Sequence, residues 1–290
     1  MPEKAILSWD GGSVEFDGGT FAPQEGLYIA KAGVEGYYST PALKVNAVER
    51  SNGDGTHRVA EEDIHYAART VLVHYLAFGE GRARILDALE SLAGAAHKLV
   101  RFRLLDGGRD TYVEGYTSWN TDPGFQDRAT SDHVLTIVCS GDPRRYSSTT
   151  RGVQLLPAWS GNGGLYYGAQ GSGLQYSLTY GTQATGALNI QTLENMGTAT
   201  AYPIITAYGH LDSVRIDWDG KTLEYRAPVD AVPLILDCNG AGAASMGGVD
   251  VSRNLSYRAF PTIPSQSTTT FILQSSGTGF VNVESHDTYL

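Results

Sequence analysis

The sequence predicts a mainly β protein of two domains carrying a single α-helix, and three observations support that expectation. The chain has 290 residues, more than one small sandwich needs and enough for two domains that each bury a core. Its composition is turn-rich and aromatic, with 35 Gly and 17 Tyr but only 18% charged residues, where soluble domains average about a quarter. Tight turns use Gly, and half-buried sheet faces favour aromatic and β-branched side chains. Finally, apolar residues mostly recur at the two-residue spacing of strands, and the helical spacing stands out only once.

In the first half, Leu43, Val45 and Ala47 alternate ahead of a turn cluster, Asn52-Gly53-Asp54-Gly55. Residues 70–78 are apolar on both parities, as in a strand covered on two sides. The one helix lies in RARILDALESLAGAAHKL. There Ile85, Leu89, Leu92 and Ala96 form a stripe with Leu86 and Ala93 beside it, opposite Arg84, Asp87, Glu90 and Ser91. Gly79-Glu80-Gly81 precedes it, so a side-chain N-cap is not expected. Then come Val100-Phe102-Leu104 and Tyr112-Val113, read as a hairpin with the five-residue loop 106–110, and a strand over residues 133–139. The polar, Pro-containing run 140–147 marks a domain exit.

The second half differs in kind. No charged residue occurs between Arg151 and Glu194, and LYYGAQGSGLQYSLTYGTQATG interleaves tyrosines with glycines. Twisted strands with packed cross-strand tyrosines account for such a stretch; an aromatic platform for sugars is the functional reading. The clearest hairpin is residues 214–225, with Asp219-Gly220 suited to a type I′ turn. Its register sets Ile216 against Leu223, Val214 against Tyr225 and Arg215 against Glu224. Further short strands fall at 232–236, 269–273 and 281–283. Repeated strands, Gly turns and no second helix indicate a β-sandwich.

Composition also excludes functions. The net charge is −10 and no basic run exists, which argues against binding nucleic-acid phosphates. The N-terminus lacks a basic-then-apolar signal, and no apolar run approaches the roughly 18 residues of a membrane span. Cys139 and Cys238 lie far apart in apolar stretches. They read as buried thiols rather than a disulfide framework or a zinc site, which suits synthesis in a reducing cytoplasm.

Catalytic patterns are not found. The histidines at 57, 65, 74, 97, 133, 210 and 286 are scattered, with His74 in a strand and His97 at a helix end. Asp217-Trp218-Asp219-Gly220 and the 52–55 cluster begin like calcium loops but lack the remaining ligands. Neither a GxSxG nor a phosphate-binding loop is present, and nothing marks a glycosidase carboxylate pair. The expectation is no enzyme, no cofactor and no metal.

Three stretches, in this order, resemble the siphophage distal tail protein (Dit-like) family, whose members include minor tail proteins of actinobacteriophages. The first is the strand–helix–strand run from Thr70 to Gly115. The second is the exit around Asp142, Pro143 and Tyr146, similar to the family's DP-aromatic link. The third is Asn195, Gly197, Tyr202 and Pro203 in NMGTATAYPII, similar to the family's N-x-G-T…Y-P-x-I segment. The physics of these residue types agrees: Gly197 allows a tight strand entry, and Pro203 at a strand start or edge loses no ladder donor. The uncharged stretch 161–186 matches no family motif.

The resemblance implies an N-terminal ring-forming β-barrel with one helix (residues 1–141), a linker (142–160) and a C-terminal galectin-like β-sandwich (161–290). It implies a structural virion component at the tip of a phage tail, made in the bacterial cytoplasm. A homohexameric ring of copies of the chain would connect the tail tube and tape measure end to the baseplate hub or tail-associated proteins, through head-to-tail contacts that close by rotation. An acidic lumen would let DNA pass by repulsion. The alternative is a carbohydrate-binding host-adsorption module, in which Trp159, Tyr166, Tyr167 and Tyr176, with Tyr180, stack on a surface glycan.

Overall fold

The structure, a computed structural model, describes residues 2–18, 25–45, 48–60, 64–119, 125–126, 129–130, 133–157 and 188–290. The chain divides into two compact units, Met1–Ser148 with Tyr289–Leu290, and Thr149–Thr288.

The first unit is a closed barrel. Its strands are β1 (Lys4–Trp9), β2 (Gly12–Asp17), β3 (Gly26–Glu35), β6 (Arg69–Phe78), β7 (Leu99–Asp106), β8 (Arg109–Trp119) and β11 (His133–Cys139). They close in the order β1-β2-β3-β6-β11-β8-β7 and back to β1. Among the described barrel strands, only the β2–β3 pair is parallel, with Phe16 beside Leu27. Closure leaves no open sheet edge to template aggregation. The short pair β4 (Leu43–Lys44) and β5 (His65–Tyr66) interrupts the path between β3 and β6. Another, β9 (Phe125–Gln126) with β10 (Ala129–Thr130), precedes β11.

The barrel interior follows from strand alternation. Ala5 and Leu7, Val14 and Phe16, Val71, Val73 and Tyr75, Phe102 and Leu104, and Leu135 and Ile137 fill one cluster. The helix α1 (Arg82–Ala93) adds Ile85, Leu89 and Leu92 to that cluster. Its N-terminus has no side-chain cap, with Gly81 in a left-handed conformation at φ 98°. The apolar face therefore fixes the helix, as the sequence suggests.

Four local expectations change. The helix stops at Ala93, so Ala95 rather than Ala96 is buried, and His97 stands in a left-handed turn (φ 61°) instead of ending the helix. The β7–β8 loop has two residues instead of five: Asp106 pairs with Arg109, and Gly107 and Gly108 both take positive φ. That is the backbone a two-residue primed turn requires. Strand β6 is fully buried on its inner parity only, since Leu72, His74, Leu76 and Phe78 are half-buried. Of the described residues in the alternation at 43–47, strand covers only Leu43–Lys44, and Leu43 is exposed.

The second unit is a two-sheet sandwich. Its strands are β12 (Arg145–Leu155, of which residues 149–155 belong here), β13 (Ile190–Asn195), β14 (Ile204–Tyr208), β15 (Val214–Trp218), β16 (Lys221–Tyr225), β17 (Leu234–Asp237), β18 (Ala243–Met246), β19 (Val249–Asp250), β20 (Leu255–Arg258), β21 (Ser267–Leu273) and β22 (Phe280–Tyr289). One sheet runs β19-β18-β17-β14-β22-β12 and the other β13-β21-β15-β16-β20. Ile205, Leu234, Leu236, Val281 and Val283 from the first sheet, and Ile216, Leu223, Phe271 and Leu273 from the second, form one core. The β15–β16 hairpin has the expected register, and Asp219 and Gly220 both take positive φ. The segment 142–160, expected as a linker, carries strand over Arg145–Leu155, and the division between units falls inside that strand.

Candidate functional site

The exit motif builds a clasp in the first unit. The Asp142 carboxylate accepts hydrogen bonds from the Arg144 backbone N–H (2.9 Å), from Arg144 Nη1 (3.2 Å) and from Tyr146 Oη (2.5 Å). An Asp that binds the backbone two residues on forms a turn. Here the turn also aims Tyr146 at its own anchor. Burial first, and then the neighbouring Asp142 charge, push the Tyr146 phenol well above the ordinary tyrosine range, so it stays a donor. Its ring lies 5.5 Å from that of Tyr112, its cross-strand partner on β8. The Pro143 carbonyl accepts from Arg69 Nε at 2.7 Å.

Arg69 leads to a second feature that no sequence pattern announces. Arg69 Nη1 donates to the carbonyls of Gly36, Tyr37 and Ser39 at 2.9, 2.8 and 2.6 Å. Arg145, at the start of β12, stands over the rings of Tyr38, Tyr37 and Tyr289 at 4.9, 5.6 and 5.6 Å. Its Nη2 donates to the main-chain oxygen of Leu290, the last residue, at 3.2 Å. Taking a guanidinium out of water costs several kcal/mol. Charge-assisted bonds return roughly 1.5–3 kcal/mol each, and a cation over a ring about 0.5–2 kcal/mol. The four carbonyls around Arg69 offset that cost, and the Leu290 main-chain oxygen and three tyrosine rings do so for Arg145. Burial, the larger cause, and the Arg145 charge both lower the Arg69 pKa.

In the second unit the Asn195 segment forms a knot. Asn195 is 1% exposed. Its Nδ2 donates to the carbonyls of Ala199 (2.8 Å), Ile263 (3.1 Å) and Pro264 (3.2 Å), and its Oδ1 accepts from the N–H groups of Gly197 (3.0 Å) and Thr288 (3.2 Å). One amide thus ties the end of β13, the loop before β21 and the end of strand β22. Gly197 is required by space: a Cβ there would stand 1.9 Å from the Thr288 carbonyl oxygen. Pro203 immediately precedes β14 and its carbonyl accepts from Cys238 N, while Tyr202 packs half-buried against the core. Asp287 closes the knot from outside, accepting from Met196 N and from Arg151 Nε.

The structure therefore assembles the motif residues as two local fasteners, Asp142, Pro143 and Tyr146 in one unit and Asn195, Gly197, Tyr202 and Pro203 in the other. The proposed sugar-stacking residues Trp159, Tyr166, Tyr167, Tyr176 and Tyr180 lie outside the described residues. Among the described residues, no three His, Cys, Asp or Glu side chains gather closely enough to hold a metal. No described helix is long and apolar enough to cross a membrane. Cys139 and Cys238 are buried free thiols; burial pushes Cys139 up to about 11 and Cys238 higher still. Clefts of about 240 Å³ on the barrel (beside Trp9, Leu99 and Arg101) and about 470 Å³ on the sandwich (beside Trp218, Lys221 and Thr268) gather no nucleophile–base pair.

A β-barrel bearing one helix, followed in the same chain by a two-sheet sandwich, is a fold with solved counterparts. The structure is similar to that of the SPP1 Dit protein, described as a paradigm of the hub adsorption apparatus in Gram-positive-infecting phages. The likeness covers 99% of each chain, with a TM-score of 0.56 and 15% sequence identity. Chains of the phage P2 baseplate in its activated conformation are similar over 98% of both chains, with TM-scores of 0.42 (with Ca, 12% identity) and 0.43 (with Sr, 11% identity). No family model matches the chain, and no curated protein matches its sequence. The chain has the fold of a Dit protein from end to end.

Proposed function

We propose that this protein is a distal tail protein, a structural component of a long-tailed phage tail tip. The observation that carries this reading is the end-to-end likeness to the SPP1 Dit fold, which takes in the barrel, its helix and the sandwich together. The reading is supported by where the motif stretches lie: the first forms the strand–helix–strand run of the barrel, and the other two form local fasteners, one in each unit. Copies of the chain form a ring, six in the family arrangement, through contacts that repeat head to tail and close. The ring joins the tail tube and tape measure end to the baseplate hub and tail-associated proteins. The barrel unit builds the ring, and the sandwich, galectin-like in the family, extends from it.

Antibodies against the purified protein test the location. The expected outcome is gold label at the distal end of the tail on particles of the phage that encodes it. Label along the whole tail, on the capsid or on no particle would contradict the proposal.

A further inference from the structure

The chain between β4 and β5 ends in a hairpin tip that is tied only at its base. Glu49 bridges Thr56, Arg50 N donates to the Gly55 carbonyl at 3.1 Å, and His57 N donates to the Val48 carbonyl at 2.9 Å. Beyond these rungs lie Ser51, Asn52, Gly53 and Asp54, and every residue from Val48 to Arg58 is exposed. Asn-Gly pairs occur at 52–53, 162–163 and 239–240; the second lies outside the described residues.

An Asn followed by Gly can react with its own chain. Gly has no Cβ to shield its nitrogen or limit its rotation, so that nitrogen can reach the Asn side-chain carbonyl carbon. Structure decides whether it does, since the Gly N–H must be unbonded and the Asn backbone free to turn. Asn52 meets both conditions. Among the described residues, no hydrogen bond involves its side chain or the Gly53 N–H. Gly53 takes φ 153°, and beyond its chain neighbours nothing stands within 4 Å of where a Cβ would be. Asn239 is held instead. Its N–H donates to Asp237 Oδ1 at 2.9 Å, its carbonyl accepts from Gly242 N at 3.1 Å, and Gly240 sits at φ 61°.

We propose that Asn52 is a site of spontaneous covalent modification, converting through a cyclic imide to aspartate and isoaspartate. The Gly53 nitrogen gives up its proton and bonds to Asn52 Cγ. The Cγ–Nδ2 bond breaks, and Nδ2 leaves as ammonia with that proton. Water then opens the ring, its hydroxyl going to one imide carbonyl carbon and its remaining proton to the nitrogen. Opening at Cγ leaves aspartate. Opening at the main-chain carbon leaves isoaspartate, with one more carbon in the backbone. Either product adds a negative charge to a chain already at −10, and isoaspartate also lengthens the tip beyond the Arg50–Gly55 rung. Because the reaction needs only water, its extent marks the age of the protein.

The test is incubation of the full chain in heavy-oxygen water at mildly alkaline pH, folded or unfolded in guanidinium chloride, followed by tryptic mapping. Trypsin releases Ser51–Arg58, and conversion is read as two new peaks whose added mass includes one solvent oxygen. The expected result is the same rate at Asn52 in the folded and unfolded chain. Asn239 should convert about tenfold more slowly folded than unfolded, as its turn must open first. Gly53→Ala, with open space around the added methyl group, should slow Asn52 by about tenfold or more. Strong slowing of Asn52 on folding, no conversion at Asn52, or an unchanged rate in Gly53→Ala would overturn the proposal.

Discussion

The two units each bury one strongly polar centre, and they solve the problem in opposite ways. In the sandwich, the neutral Asn195 amide shares its two N–H donors among three carbonyls and accepts two hydrogen bonds at its oxygen. In the barrel unit, Arg69 and Arg145 bring two charges inside, Arg69 among neutral carbonyls and Arg145 among tyrosine faces and the Leu290 main-chain oxygen, with one buried donor on each left without a protein partner. A neutral group whose capacity matches its surroundings works as a permanent fastener. The sandwich knot is accordingly held by a neutral side chain, while the barrel unit holds charge inside with main-chain oxygens and ring faces.

Substitutions sharpen that contrast. Gly197→Ala should be the most damaging, because its Cβ meets the backbone oxygen of Thr288, which cannot swing aside as a side chain would. A loss of about 4 kcal/mol is expected from overpacking of this severity, read as a large fall in the urea midpoint. Asn195→Ala should follow at about 3 kcal/mol, since it leaves buried N–H groups on Gly197 and Thr288 without their acceptor. A small effect would mean that water replaces the amide and that the knot is not dry. Tyr146→Phe in the barrel clasp should cost less, about 1.5 kcal/mol. Asp142 keeps Arg144 as a partner, and calorimetry is sensitive enough to see the difference. Arg101→Ala should cost no more than about 0.5 kcal/mol. Its pairing with Glu114 is solvent-exposed on both sides, and a larger loss would show that this outer face is covered in the assembled protein.

Much of the fold was legible because separate signals agreed. In the β15–β16 hairpin, alternation, turn residues and cross-strand charges all pointed to one register. The helix was legible from its stripe despite lacking a cap, since burial of Ile85, Leu89 and Leu92 holds it. Errors fell where polar residues act inside strands. Asp106, Arg109 and Asp110 look like loop, yet they are paired strand ends, with Asp110 bound to Arg103. The β12 segment looks like linker, yet Tyr146, Ser148 and Arg151 each hold an acid, on Asp142, Asp110 and Asp287. The motif residues were visible, but their work was not: Asn195 acts on carbonyls nearly seventy positions away. Arg69 gave no signal at all, because its partners are backbone carbonyls and a carbonyl has no side-chain identity to read.

The most direct measurement is the solution mass of the purified full-length protein across a range of concentrations, with negative-stain images of the same samples. A closed ring of about six copies, as the family arrangement implies, with a mass that stays constant once formed, is the predicted result. A particle of open, growing filaments, or a chain that stays monomeric even when mixed with its tail-tube and hub neighbours, would contradict the account.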